Sequence, residues 1–291
     1  MREGPLIRTV RDALGWAERQ VSQDREPPGR SEMDRTLAGI LGIPSHEIYL
    51  SPDRKLSSQD VERFQASWHR RLTGVPLQHL LGEVEFFSLA FRVVPGVFIP
   101  RPETECLVET VLRQRRGRRE TWIDVGTGAG VIAVSLAVSV EDLTVIAADV
   151  STDALDLARE NARRHGVEGR VRLVRCDALD AFRRTGWADG IVSNPPYVSL
   201  PDMRDLPVEV RDHDPHAALF GGPDGLAFIR RLAAAAPEIL RPGGRLAFEM
   251  GERQADDVRA LLEKSSPWDR IRVREDLAGR PRVALARRSS C

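Results

Sequence analysis

Cysteine is scarce. The 291-residue chain holds three, Cys106, Cys176 and Cys291, far apart in the sequence. That spacing makes neither a disulfide framework nor a metal-ligand cluster, and it suits a reducing, cytoplasmic compartment. An excess of charge is missing too: Lys+Arg and Asp+Glu both number 43, so the formal net charge is zero. Binders of duplex nucleic acid ordinarily carry a basic surplus, and the balance here speaks against direct nucleic-acid binding. Long apolar runs are lacking. The longest, Val131–Val140, is about ten residues and too short to cross a bilayer. Met1–Val10 carries Arg2, Glu3, Pro5 and Arg8 without an apolar core, so no signal peptide is expected there. Internal repeats and low-complexity tracts are absent. What remains is a soluble, globular composition, 42% hydrophobic and 30% charged, long enough for one large domain or two ordinary ones.

The first seventy residues show helical periodicity and no strand pattern. Leu6, Val10, Ala13, Leu14 and Ala17 recur on one face. A loop at Asp24–Gly29 follows, then Ser31 with Asp34 as an N-cap and acidic first turn for a helix carrying Met33, Leu37, Ile40 and Leu41. Ser58 opens another helix, with Val61, Phe64, Trp68 and Leu72 on one side. Residues 1–73 are therefore expected to form a small helical domain, either a packing module or a platform for a partner. Gly74–Gln78 reads as linker. Phe86–Val94 is β-prone between Gly82 and Pro95, which predicts a hairpin over 83–99. Residues 74–100 are thus taken as linker and hairpin, and 101–291 as the second domain. Pro102 opens a helix with Glu103 and Glu105 in its first turn.

From Thr121 strands and helices alternate, the pattern of a parallel sheet with crossover helices. Strands are expected at 121–125, 143–148, 170–175, 191–193 and 245–250, with helices at 131–140, 152–165, 226–240 and 254–264. The last two strands, 270–276 and 282–286, are joined by a short turn and so run antiparallel. A loop as long as Val198–Gly225 in a compact domain is usually functional.

Two stretches carry chemistry. Asp124-Val-Gly126-Thr127-Gly128-Ala129-Gly130 lies between the first strand and its helix, where glycines let a ligand approach the backbone. Its spacing is not that of the dinucleotide fingerprint, and no P-loop lysine follows. Asp149 ends the second strand, placed for the two hydroxyls of a ribose, and Asp177 ends the third, placed for an adenine amino group. The ligand these positions suit is an adenosine without an obligatory diphosphate, and S-adenosylmethionine fits, with Asp124 near its cationic end. The second stretch is Asn194-Pro195-Pro196-Tyr197, after the fourth strand. Its prolines hold the backbone extended and leave carbonyls unused. It is either a stiff turn or a clamp for a planar NH2 group, with Asn194 and the Pro195 carbonyl each accepting one hydrogen and Tyr197 against the flat face.

Together these motifs resemble class I S-adenosylmethionine-dependent methyltransferases acting on amide or amino nitrogen. Nearly end to end, the chain closely resembles the release-factor glutamine methyltransferases, the HemK/PrmC family. The resemblance runs through Pro76–Gly82, Glu85–Phe87, Ile99–Glu105, Asp124–Gly130, Ser193–Tyr197, Ala218–Gly222, Asp224–Leu226, and Glu249–Gly251 with Gln254. It implies a seven-stranded Rossmann-like sheet with the last strand antiparallel, beside an N-terminal helical bundle. It implies transfer of a methyl group from S-adenosylmethionine to the glutamine of the Gly-Gly-Gln motif in class I peptide-chain release factors, by a cytoplasmic, monomeric enzyme without membrane or metal. The implied cofactor set is Phe98, Arg101, Thr104, Asp124, Gly126, Thr127, Gly128, Ala129, Gly130, Asp149, Val150, Asp177, Ala178 and Asn194. The implied catalytic residues are Asn194, Pro195 and Tyr197, with Pro196 also touching substrate. Ala129 stands where the family often has serine. Ala178 stands where many members have an aromatic, which makes Phe98 the alternative stacking surface. His213-Asp-Pro-His216 is read as loop packing. Rival readings are a ribosomal-protein glutamine methyltransferase, an adenine-N6 nucleic-acid methyltransferase and a catalytically silent binding module.

Overall fold

The computed structural model describes residues 7–21, 28–115, 119–265 and 267–290. The expectations that fall on Met1–Leu6, on the loop at Asp24–Pro27 and on Cys291 lie outside the described residues. The chain divides into two compact units, Met1–Glu83 and Val84–Cys291.

The first unit is helical: α1 (Val10–Gln20), α2 (Arg30–Leu41), α3 (Glu47–Leu50), α4 (Ser58–Leu72) and α5 (Leu77–Leu81). Thr9 and Asp12 close a reciprocal capping box at the start of α1, which satisfies two otherwise orphaned backbone donors. Ala13, Ala17, Leu37, Phe64 and Trp68 share one core, and the Trp68 indole donates to the Ala17 carbonyl at 3.1 Å. Ser31 does not cap α2. That helix begins at Arg30 after Gly29, and Asp34 is buried, accepting from Arg30 and from the Tyr49 hydroxyl. Ser57, one residue earlier than expected, caps α4. Gly74–Gln78 runs into α5 and does not stay extended. Leu81 on α5 packs so closely on α2 that a Cβ at Gly39 would lie 2.6 Å from it. Both unforeseen helices, α3 and α5, are too short to show a helical period in sequence.

From Glu83, the last residue of the first unit, a hairpin runs into the second, β1 (Glu83–Phe86) and β2 (Leu89–Arg92), shorter than expected. Its turn places Phe87 and Ser88 at positive φ, and the Glu105 carboxylate accepts from the Phe87 amide at 2.9 Å. A 3-10 turn at Pro102–Thr104 leads into α6 (Glu105–Gln114). Then follow β3 (Thr121–Val125), α7 (Val131–Ser139), β4 (Thr144–Asp149), α8 (Thr152–Arg164), β5 (Val171–Arg175) and β6 (Ala188–Ser193). The long segment after β6 carries a 3-10 turn, α9 (Val208–His213) and α10 (His216–Leu219). The chain continues with α11 (Ala227–Ile239), β7 (Leu240–Glu249), α12 (Ala255–Lys264), β8 (Trp268–Glu275) and β9 (Pro281–Arg288). Strand β7 starts at Leu240, ahead of the Pro-Gly-Gly expected to precede it, because Leu240 pairs with Ala188 and the prolyl-glycyl residues form an irregularity inside the ladder.

The seven strands lie in the order β5-β4-β3-β6-β7-β9-β8, all parallel except β9, which is antiparallel to β7 and β8. Alternate residues feed the two faces: Trp122, Val145, Val192 and Ala247 join the core under α6–α8, and Ile123, Ile191, Leu246 and Phe248 the core under α11 and α12. Burial on both sides explains why these strands read as near-continuous apolar runs. Trp122 is accommodated by Gly190, where a Cβ would fall 2.4 Å from the indole. The connection order reverses between β3 and β6, so a crevice opens at their carboxyl ends. There the Ser193 hydroxyl donates to the Val125 carbonyl at 2.7 Å and holds the two strand ends level.

Candidate active site

A cavity of about 690 Å³ opens at this edge. Of the residues expected in the site, Phe98, Thr104, Gly126, Thr127, Gly128, Ala129, Asp149, Val150, Asp177, Ala178 and Asn194–Tyr197 line it. Arg101, Asp124 and Gly130 do not.

On the β3–β5 side the glycine turn is held by bonds to the end of the neighbouring strand β4. The Gly126 and Thr127 amides donate to the Ala148 carbonyl at 2.8 and 3.0 Å. The Asp149 carboxylate accepts from the Gly128 amide at one oxygen and from the Ser151 amide at the other, both at 2.9 Å. Each oxygen keeps a lone pair, and Asp149 borders the cavity. Gly126 and Gly128 sit at φ of 71° and 55°, and a Cβ on either would meet no atom within 4 Å. That open cradle fits a ligand lying along the turn, as S-adenosylmethionine requires. Gly130 serves packing instead: a Cβ there would lie 2.9 Å from Ala158 of α8.

Asp124 faces inward. Its Oδ2 accepts from the Thr127 hydroxyl at 2.6 Å and the Ala133 amide at 3.2 Å, tying the turn to α7. Its Oδ1 is buried without a partner, and burial raises the carboxyl to about 7. Asp177 pairs with Arg231 at 3.0 Å, each about half exposed. Arg101 turns away from the cavity. It pairs with the buried Asp214, which also accepts from the Ile99 amide, and its guanidinium lies 5.2 Å from the centre of the Phe98 ring. Arg101 thus braces the Phe98 loop against the segment after α9. His213 and His216 flank Asp214, whose carboxylate is taken up by that pair.

On the β6–β7 side the bonds are long-range. Asn194 donates through Nδ2 to the Thr104 hydroxyl oxygen at 3.0 Å, and Thr104 donates to Glu249 Oε2 at 2.7 Å. The Tyr197 hydroxyl donates to Glu249 Oε1 at 3.0 Å. Glu249 ends β7 and is 1% exposed. Burial raises its carboxyl, against the hydrogen bonds from Thr104 and Tyr197 and the charge of Arg282. Burial and that neighbouring carboxylate push the Tyr197 hydroxyl up as well. The backbone after Tyr197 is pressed against a glycine turn. A Cβ at Gly221 would lie 2.6 Å from the Gly225 carbonyl and 2.7 Å from that of Pro196, and one at Gly225 would lie 2.3 Å from that of Tyr197. Gln254 Nε2 donates to the Tyr197 carbonyl at 3.0 Å. Pro215 and Ala217–Gly222 of the segment expected to be functional line the cavity, whereas Glu249 and Gln254, behind the corner, had no assigned role at the level of sequence. The Gly-Gly and Asp-Gly pairs at 221–225 were the visible sign of a tight approach.

A seven-stranded sheet in this order, with β9 reversed and a glycine cradle at the point where the connections change direction, defines a class I S-adenosylmethionine-dependent methyltransferase. Residues 89–205 match the family described as Methyltransferase small domain, and residues 12–82 match the PrmC N-terminal domain. A release factor glutamine methyltransferase of Nitratidesulfovibrio vulgaris is 39% identical over 282 residues, covering 97% of this chain and 96% of its own. One from Moorella thermoacetica is 40% identical, covering 96% and 99%. The chain belongs to the release factor glutamine methyltransferase family, and S-adenosylmethionine is its methyl donor. Among solved structures the hMettl16 catalytic domain, in complex with an RNA hairpin, shares the fold at 16% identity and a TM-score of 0.55, covering 82% of this chain and 85% of that one.

Proposed function

We propose that this enzyme methylates the side-chain amide nitrogen of the glutamine in the Gly-Gly-Gln motif of class I peptide-chain release factors. The observation that carries the reading is the rigid Asn194–Tyr197 corner, bordering the same cavity as the glycine cradle and Asp149. The relatives' names, release factor glutamine methyltransferase, support the substrate. When bound, S-adenosylmethionine would supply an electrophilic methyl group on a sulfonium sulfur, whose S–CH3 bond breaks as the N–CH3 bond forms, leaving the neutral thioether S-adenosylhomocysteine. An amide nitrogen is a poor nucleophile because its lone pair is delocalised, so the protein's task is orientation. Asn194 Oδ1 and the Pro195 carbonyl accept the two amide hydrogens, which fixes the nitrogen and draws density onto it. The Tyr197 ring packs on the amide plane. The alkylated nitrogen is strongly acidic, so its extra proton leaves to water and no dedicated base is needed. Gly126–Ala129, Asp149, Val150 and Phe98 hold the donor, with Phe98 the stacking surface in place of an aromatic at Ala178. The N-terminal helical unit binds the body of the release factor, and the 198–225 segment borders the glutamine entrance. The enzyme works as a cytoplasmic monomer without direct nucleic-acid contact; among the described residues no helix is long and apolar enough to cross a membrane.

The test is mass spectrometry of a purified release factor after incubation with the enzyme and labelled S-adenosylmethionine. A methyl-sized gain on the Gly-Gly-Gln glutamine, absent with Asn194→Ala, is the expected result. Label on a ribosomal protein or on adenine, with none on the release factor, would overturn the substrate assignment.

A further inference from the structure

We infer that Thr104 and Glu249 are positioning residues that set which end of the Asn194 amide faces the substrate. The inference rests on the reading of Asn194 as the amide clamp and deepens it. A carboxyl oxygen that carries no proton only accepts. Glu249 Oε2 therefore takes the hydroxyl proton of Thr104, at 2.7 Å. With its proton committed, the Thr104 oxygen is left to accept, and it accepts from Asn194 Nδ2 at 3.0 Å. Asn194 has one NH2 end and one carbonyl end. Directing the first at Thr104 turns the second away from it, free to accept from a substrate NH2. Were the side chain reversed, its NH2 would confront the substrate NH2, and its oxygen would meet the Thr104 oxygen unless Thr104 turned its proton away from Glu249.

The other oxygen of Glu249 accepts from the Tyr197 hydroxyl, at 3.0 Å. One buried carboxylate thus terminates both arms of the corner, the amide of Asn194 and the ring of Tyr197. Thr104 and Glu249 are 2% and 1% exposed, so water does not compete for these bonds. The arrangement also accounts for a threonine at the end of the Pro102–Thr104 turn, whose side chain does not cap α6. Valine would fill the same space, but with no oxygen for Asn194 and no proton for Glu249.

Two measurements on the full chain test this. In the free enzyme, labelled with ¹⁵N, the side-chain NH2 pair of Asn194 is assigned by its loss in Asn194→Ala. It should move in Thr104→Val and return in Thr104→Ser, a readout that needs no substrate. In release-factor methylation, Thr104→Val should lower kcat by about tenfold or more, the order expected when a buried donor loses its acceptor. KM for the release factor should stay within about twofold, because most of that interface is elsewhere, and Thr104→Ser should restore most of kcat. Glu249→Gln is read alongside, since its amide accepts on one side only and should lower kcat in the same way. It replaces Thr104→Val if that variant melts early. An unmoved Asn194 pair, unchanged kcat in both variants, or a serine variant as impaired as the valine one would sink the inference. A wild-type enzyme that leaves the release factor unmethylated fails the substrate assignment alone, and the nuclear resonance result then decides the positioning role.

Discussion

The two halves of the cavity are built in opposite ways. On the β3–β5 side, the bonds that shape the glycine turn span short stretches of chain: Asp124 to Thr127 and Ala133, three and nine residues on, and Asp149 to Ser151 and Gly128, two residues after it and twenty-one before it. On the β6–β7 side, Asn194 reaches Thr104 across 90 residues, Thr104 reaches Glu249 across 145, and Tyr197 reaches Glu249 across 52. Such a turn can form once one βαβ unit, β3, α7 and β4, is in place. A long-range clamp exists only when the hairpin loop, β6 and β7 are all in place. The donor half is therefore expected to tolerate faults in the substrate half, and the substrate half to depend on the whole sheet.

The sharpest way to break this contrast is Asn194→Ala. Release-factor methylation should fall on the order of a thousandfold in kcat/KM, while calorimetry should find S-adenosylmethionine affinity within about threefold of wild type. Comparable losses in both would mean that the halves are not separable. Asp124 gives the next largest effect. Its carboxyl is raised to about 7 by burial, from an ordinary value of 3.8. Below about pH 4 the proton is bound in folded and unfolded chains alike; between about pH 4 and 7 only the folded chain keeps it. Stability should thus fall as pH rises through that window, on the order of 4 kcal/mol from this group. The gap in Tm between wild type and Asp124→Asn should change with pH across the window and level off above it. A constant gap would show that Asp124 is not protonated in the fold.

Gly221→Ala comes third. Its Cβ would meet two backbone carbonyls, neither able to swing aside, so unfolding by urea should show a loss of about 2–3 kcal/mol, with methylation reduced as the corner shifts. Asp149→Ala should weaken S-adenosylmethionine binding by on the order of tenfold, since the Gly128 and Ser151 amides lose their acceptor. Its kcat at saturating donor should change far less, which is the converse of the Asn194 result. The smallest effect belongs to Arg231→Ala. The Asp177–Arg231 pair is about half exposed, and donor affinity should move by less than about twofold. A larger change would place Asp177 among the adenine contacts with a weight that its exposure does not suggest.

Much of the fold was open to reading because its signals are short-range. The alternation of strands and helices from Thr121 placed β3 to the residue, and α7, α8 and β4 to within about one. The antiparallel final hairpin followed from the turn through Gly279. The helices α3 and α5 escaped because four or five residues carry no period. In the site, Asp124 before the glycine turn and Asp149 at the end of the second strand were both expected to face the donor. Only burial separates them, one locked under α7 with an unpartnered oxygen, the other bordering the cavity. Arg101 looked equally suited to the donor, but Asp214, 113 residues away, claims it.

Most of the elements, the glycine turn and the Asn-Pro-Pro-Tyr corner follow from short-range signals, because apolar period, glycine freedom and the fixed φ of proline act on neighbouring residues. Long-range packing is what brings Glu249 to both arms of that corner, sets Thr104 against the Asn194 amide, and makes Gly221 and Gly225 clear the path for Tyr197. Each of those depends on segments far apart in the chain arriving within about 3 Å of one another, a distance at which a hydrogen bond or a missing Cβ decides the outcome.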